Sequence, residues 1–244
     1  MYVKLPKQMR GLGDSAQKVG EASGEWMRTA VTAVPGPPEG PATEQWEFSV
    51  GSLISSLPKV PPGAAKALGV LDRLGSVRFG PESVGFDGEE IAWKDVLRIQ
   101  QHNGADVLAG NSIEAEFERL RGLLPPVPGR KWAVGKAAGG LTTVVGELRD
   151  RVLSDPGGAY DIACEIVHRG RFGREKSLHA CMYSTAVLTL RPDFSAGLIA
   201  TARAHGVQVL PAETRADDAA RAESMKSLWK RTRDASPQGD PQDG

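Results

Sequence analysis

The 244 residues carry 30 basic and 30 acidic side chains, for a formal net charge of zero, with 40% hydrophobic and 25% charged residues. That composition supplies a core, excludes wholesale disorder, and argues against a protein that coats nucleic acid. The two cysteines, Cys164 and Cys181, are too few for a disulfide scaffold, and no apolar run approaches the roughly 18–20 residues that span a bilayer. The first residues have positive charge but no apolar stretch of the kind a secretory signal needs, so the expected compartment is the cytoplasm.

Along the chain, Leu5, Met9, Leu12, Ala16, Val19, Ser23, Trp26 and Ala30 recur at alternating steps of four and three, the spacing of a helical seam. The stretch VPGPPEGPA, Val34 to Ala42, reads as a linker, and Ala64 to Leu74 as a short helix after the Pro61-Pro62 break. Residues 1–75 therefore form an expected helical region with a Pro-rich linker.

Residues 76–109 read as a four-stranded antiparallel meander. A turn at Asp87-Gly88 sets Val84 opposite Ile91, and a loop centred on Pro81-Glu82 pairs Phe79 with Val84 and Val77 with Phe86. A further turn at Asn103-Gly104 would set Ile99 opposite Leu108, with a bulge or bend near Lys94-Asp95. Residues 110–158 read as helical: Asn111 with Glu114 resembles a capping box, Ile113, Phe117, Leu120 and Leu124 follow at helical spacing, and Leu141 to Val152 make a second helix.

Residues 159–207 are expected to hold three strands, Asp161–Arg169, Lys176–Tyr183 and Ala186–Arg191, followed by the helix AGLIATARAH, with Gly206 at its C-terminus. Residues 208–244 complete the chain with an amphipathic helix from Ala212 to about Thr232 and a polar tail.

The order of four strands, three strands and a helix resembles that of pleckstrin-homology-like (PH-like) domains, and SVGFDGEEIAWKDVLRI is similar to a strand pair of bacterial PH-like and GRAM-like domains. The resemblance covers Ser76–Ala109 and Tyr160–Val207. It implies an α+β fold: a split PH-like antiparallel barrel of four plus three strands, interrupted by a helical insertion and flanked by helical extensions.

Two sets of residues are candidates for function. Arg169, Arg171, Arg174 and Lys176 cluster about the turn of a predicted hairpin, with Phe172 at its tip. Converging guanidinium groups suit the oxygens of phosphate, and PH-like domains that bind phosphorylated lipids often use a basic strand–strand loop, although usually the first one. The second set is Trp26 near one end of the chain and Met225, Leu228, Trp229, Lys230 and Arg231 near the other, on amphipathic helices suited to a partner or a membrane interface.

Cys164, His168, His179 and Cys181 cannot all converge in one hairpin register, so no metal is expected, and no cofactor either. The stretches GLGDSA, GRKWAVGKAA and DFSAG each miss the motif they approach, which leaves no catalytic signature. The acidic Asp87, Glu89, Glu90 and Asp95 read as a solvated turn. The leading expectation is a non-enzymatic cytoplasmic adaptor that binds a protein partner, its own copies or the inner membrane surface. The alternatives are a peripheral protein recognising anionic lipid or phosphate through the 169–176 hairpin, and a small-molecule enzyme with a pocket between barrel and inserted helices.

Overall fold

The computed structural model describes residues 29–55, 69–71, 75–123, 130–212 and 217–235. The N-terminal seam with Trp26, most of the helix expected from Ala64 to Leu74, and the polar tail lie outside them. The fold is α+β, built on two four-stranded sheets.

The first sheet comprises β1 (Trp46–Phe48), β2 (Val77–Phe79), β3 (Ser83–Phe86) and β4 (Glu89–Ala92), all antiparallel and paired in chain order. Its registers set Val77 opposite Phe86, Phe79 opposite Val84 and Val84 opposite Ile91, as the turn residues predict. Asp87 and Gly88 both take positive φ, at 54° and 80°, the backbone that a two-residue hairpin turn requires. Strand β1 has no counterpart in the sequence reading. Its Trp46 packs at 4.9 Å from the ring of Phe79 and at 4.6 Å from Phe194, which joins the sheet to a later helix.

The bend expected near Lys94-Asp95 is a single 3-10 turn, Trp93–Asp95, and there the chain passes from one sheet to the other. Trp93 pins the crossing: its indole Nε1 donates to the Gly80 carbonyl at 2.8 Å, and its ring stacks on His205 at 4.9 Å.

The second sheet has the order β7 (Glu175–His179), β6 (Asp161–Arg169), β5 (Val96–Asn103), β8 (Gln208–Leu210). Strand β5 runs antiparallel to β6 and parallel to β8. The two β regions of the sequence are therefore joined by β5–β6 pairing, and the helices between them form an excursion between neighbouring strands. Neither sheet closes into a barrel.

Three expected strand features are corrected. Asn103-Gly104 does not turn a hairpin, and Ile99 faces Ile166 instead of Leu108. Asn103 instead caps α1a, the helix Gly104–Gly110, by accepting the amide N–H of Asp106 at 3.3 Å. Asn-Gly serves a turn or a helix start equally well, and the long partner strand β6 decides between them. The strand expected over Ala186–Arg191 is part of a helix, Met182–Leu190, and β7 ends at His179 and not at Tyr183. Every residue of that helix is buried, so its sequence shows a continuous apolar run and no 3.6-residue period.

Besides α1a, the described helices include α1 (Val50–Ser55), α2 (Ile113–Leu123), α3 (Arg130–Ser154), α4 (Met182–Leu190), α5 (Pro192–Ala204) and α6 (Asp218–Ala235). Ser112 caps α2, its hydroxyl accepting the Ala115 amide at 3.2 Å, in place of the expected Asn111 box. Gly206 ends α5 at φ 71°, as anticipated. Helix α4 lies centrally, against β6 on one side and α1a and α3 on the other, and α6 packs outside α3 and α1a. Arg221 anchors α6: its guanidinium, 1% exposed, pairs with Asp106 and Asp218 at 3.0 Å and donates to the Pro156 carbonyl at 2.5 Å.

Candidate functional site

The β6–β7 hairpin projects its apex beyond the body of the second sheet. Arg169 stands opposite Glu175 and His168 opposite Lys176. The loop is closed by the Gly170 amide donating to the Arg174 carbonyl at 2.7 Å, and by Gly173 donating to Gly170 at 3.1 Å. This tight closure forces the left-handed backbone on two successive residues: Phe172 at φ 71° and Gly173 at φ 73°. Glycine accepts that geometry freely, whereas phenylalanine is strained by it. Phe172 is also 97% exposed, so no packing of the folded chain compensates.

Around this apex Arg169, Arg171, Arg174 and Lys176 are all exposed, and none is ion-paired among the described residues. The methylenes of Lys176 lie over Gly170, where a Cβ would come within about 3 Å of them. Glu175 is engaged elsewhere, by Arg98 at 3.3 Å. The sheet registers and the Trp93–His205 stack bring Lys94 and Arg203 to the same end of the molecule, with Glu82 and Asp95 as nearby acids. The four cations named from the sequence all lie at this end of the hairpin, Arg169 on the face of Glu175 and Lys176 on the opposite face, that of His168.

The terminal-helix candidates divide. Met225 and Leu228 are fully buried, and Arg231 donates through Nη2 to the Ala109 carbonyl at 3.3 Å, so these three serve the packing of α6. Trp229 is half-buried against the core beside α3, and Lys230 remains exposed. Among the described residues no helix is long and apolar enough to cross a membrane.

Cys164 and Cys181 are both buried and free. Burial, aided by the charge of Glu165, pushes the Cys164 thiol up to about 12. Burial likewise raises Cys181, with Asp87 and Glu116 adding to the effect. Neither is a thiolate at neutral pH, so neither is a ready nucleophile. His179 falls opposite Glu165, and among the described residues no group of three or more His, Cys, Asp or Glu is arranged to hold a metal ion.

Two polar clusters escaped the sequence reading. On the second sheet, Glu165 accepts from Ser177 Oγ at 2.7 Å, contacts His102 Nε2 at 2.7 Å and lies 3.8 Å from His179 Nε2. Burial opposes ionisation of this carboxyl, but the bonds from Ser177 and His102, with the nearby imidazoles, hold it below its ordinary range. The serine bonds the carboxylate and not the imidazole, so the arrangement does not activate a nucleophile.

Asp87, expected as a solvated turn residue, caps the start of α4. Its carboxylate accepts from the Cys181 amide at 2.6 Å, the Gly75 amide at 2.8 Å and the Ser184 hydroxyl at 2.9 Å. The turn of the first sheet is thereby tied to the central helix. The β6–β7 register sets His179 opposite Glu165, but His102 on β5 and the start of α4 reach these carboxylates from residues more than sixty and ninety positions away, beyond any local pattern.

Comparison of the chain with family models, curated proteins and solved structures gives no match.

Proposed function

We propose that this protein is a non-enzymatic, cytoplasmic adaptor that docks on an anionic membrane surface through the β6–β7 hairpin. The observation that carries the reading is Phe172: a strained, 97% exposed aromatic at a hairpin apex, ringed by unpaired cations. Solvent exposure of a large apolar side chain in an unfavourable backbone conformation has no use within the fold, whereas insertion among lipid headgroups would bury it.

The chemistry follows from the groups present. Arg169, Arg171 and Arg174 would engage headgroup phosphates with paired N–H donors, Lys176 would add a compact charge, and Phe172 would enter the boundary of the acyl region. The strand–turn–strand run of the first sheet and helix α5, which follows β6 and β7, are what remains in favour of a PH-like module, and the docking reading does not depend on it.

The test is co-sedimentation of the full chain with neutral and anionic vesicles at low and moderate salt. Each cation near an anionic surface contributes about 1 kcal/mol, so an Arg169/Arg171/Arg174 triple-alanine variant should bind anionic vesicles roughly 100-fold more weakly. Binding that ignores vesicle charge and salt, or that the variant retains in full, would overturn the proposal.

A further inference from the structure

A second cationic site lies away from the hairpin, between α3 and the outer face of α6. It is an open groove of about 270 Å³ lined by Arg149, Leu153, Lys226, Trp229, Lys230 and Arg233. Four of those six residues are cations, and no carboxylate is among them. The guanidinium groups of Arg149 and Arg233 both stack on the Trp229 ring, 4.1 and 4.3 Å from its centroid. Asp150 accepts from the Nε and Nη2 of Arg149, and among the described residues Nη1 has no partner. Among the described residues Lys226 pairs only with the exposed Glu223 at 3.3 Å, and Arg233 only with Asp234 at 3.9 Å.

Packing alone does not explain this arrangement. Lys226 with Lys230, and Lys230 with Arg233, are like charges at the i,i+4 and i,i+3 spacings where a helix is weakened by repulsion. Two guanidinium groups held against one ring add to that repulsion, which the ring's negative face offsets only in part. Helix α3 also carries Gly146 beneath the indole, where a Cβ would come within 2.9 Å of Trp229 Nε1. A helix-weakening residue thus makes room for the aromatic platform on which the two arginines are positioned.

We infer that this groove is a binding site for a small phosphate-bearing ligand, a phosphate ester or diphosphate. The free edges of Arg149 and Arg233 supply directional N–H donors, Lys226 and Lys230 supply mobile charge, and the half-exposed Leu153 offers an apolar contact for the organic part. The volume lies just below the range for drug-sized ligands, which suits a compact anion. The inference is independent of the hairpin, since the two sites share no residue.

Isothermal titration of the full chain with inorganic pyrophosphate tests it, using a Lys230→Ala/Arg233→Ala variant and, as control, Lys131→Ala near the far end of α3. All three residues are exposed, so both variants should fold, and far-UV circular dichroism checks that they do. The expected result is saturable binding, weakened at least tenfold by the groove pair and unchanged by Lys131→Ala. The absence of saturable heat at millimolar pyrophosphate would overturn the inference, as would binding that survives the groove substitutions. A parallel arm with phosphatidic acid vesicles separates the ligand sources. Loss of vesicle binding in the groove variant assigns a lipid headgroup, and loss of pyrophosphate affinity alone assigns a soluble phosphate.

Discussion

Replacing Phe172 by glycine should make the fold more stable while weakening surface attachment. The left-handed backbone at φ 71° and ψ 19° disfavours an L side chain by roughly 1–2 kcal/mol. Glycine removes that strain but gains freedom in the unfolded chain, which returns about 0.4–1 kcal/mol. Because the side chain is 97% exposed, no buried area is lost. The net expectation is a gain of about 0.5–1 kcal/mol, or roughly 1–4 °C in Tm for a chain of this size. Attachment should move the other way. Loss of a buried phenylalanine costs about 1.5–3 kcal/mol, a drop of roughly 10- to 150-fold in partition onto anionic vesicles. Thermal unfolding followed by circular dichroism reads the first quantity and vesicle co-sedimentation the second. A lower Tm for Phe172→Gly would show that the side chain packs on the protein. Unchanged partition would show that the apex does not insert. Phe172→Trp should retain both properties.

Three further substitutions test the interior. Arg221→Ala removes the buried partner of Asp106 and Asp218 and should destabilise by about 3 kcal/mol, the lower end for breaking a buried pair because both carboxylates keep some solvent contact; a urea midpoint within about 0.5 kcal/mol of the parent would refute this anchoring role. Burial holds the Glu116 carboxyl above its ordinary range, with the charge of Asp87 adding to the shift and Arg119 and the Cys181 thiol opposing it. Its charged form therefore weighs against the fold, and Glu116→Gln should raise the urea midpoint at pH 7, with the advantage vanishing as the pH falls through the carboxylate range. Glu165 has the opposite sign: its lowered pKa contributes stability that is present above the unfolded value and lost as pH falls through the folded one. Glu165→Gln should lower the midpoint at pH 7 and match the parent in strong acid, and equal midpoints at pH 7 would show that the Ser177 and His102 bonds add nothing.

Local chemistry made much of this protein legible in its sequence. Alternating apolar residues about Asp87-Gly88 specified the β2–β3–β4 registers, because a one-residue slip would turn Val84 and Phe86 away from the core. The 3.6-residue repeat marked α2 and α3, Gly206 marked the end of α5, and the run of arginines about Gly170 and Gly173 marked the hairpin that carries the candidate site.

Tertiary structure decided what local pattern leaves open. Met182–Leu190 is helical because it is enclosed on all sides, and burial on all sides erases the period that would reveal it. Asn103-Gly104 starts a helix because β6 claims β5 as its partner, and the three-residue β1 and β8 exist only as edges of sheets formed by other strands. The Trp229 groove needs Arg149 from a helix eighty positions away, and Asp87 caps a helix more than ninety positions further on. Such contacts follow from packing between distant elements, which no short stretch of sequence encodes, whereas turns, caps and amphipathic faces are set by neighbours a few residues apart.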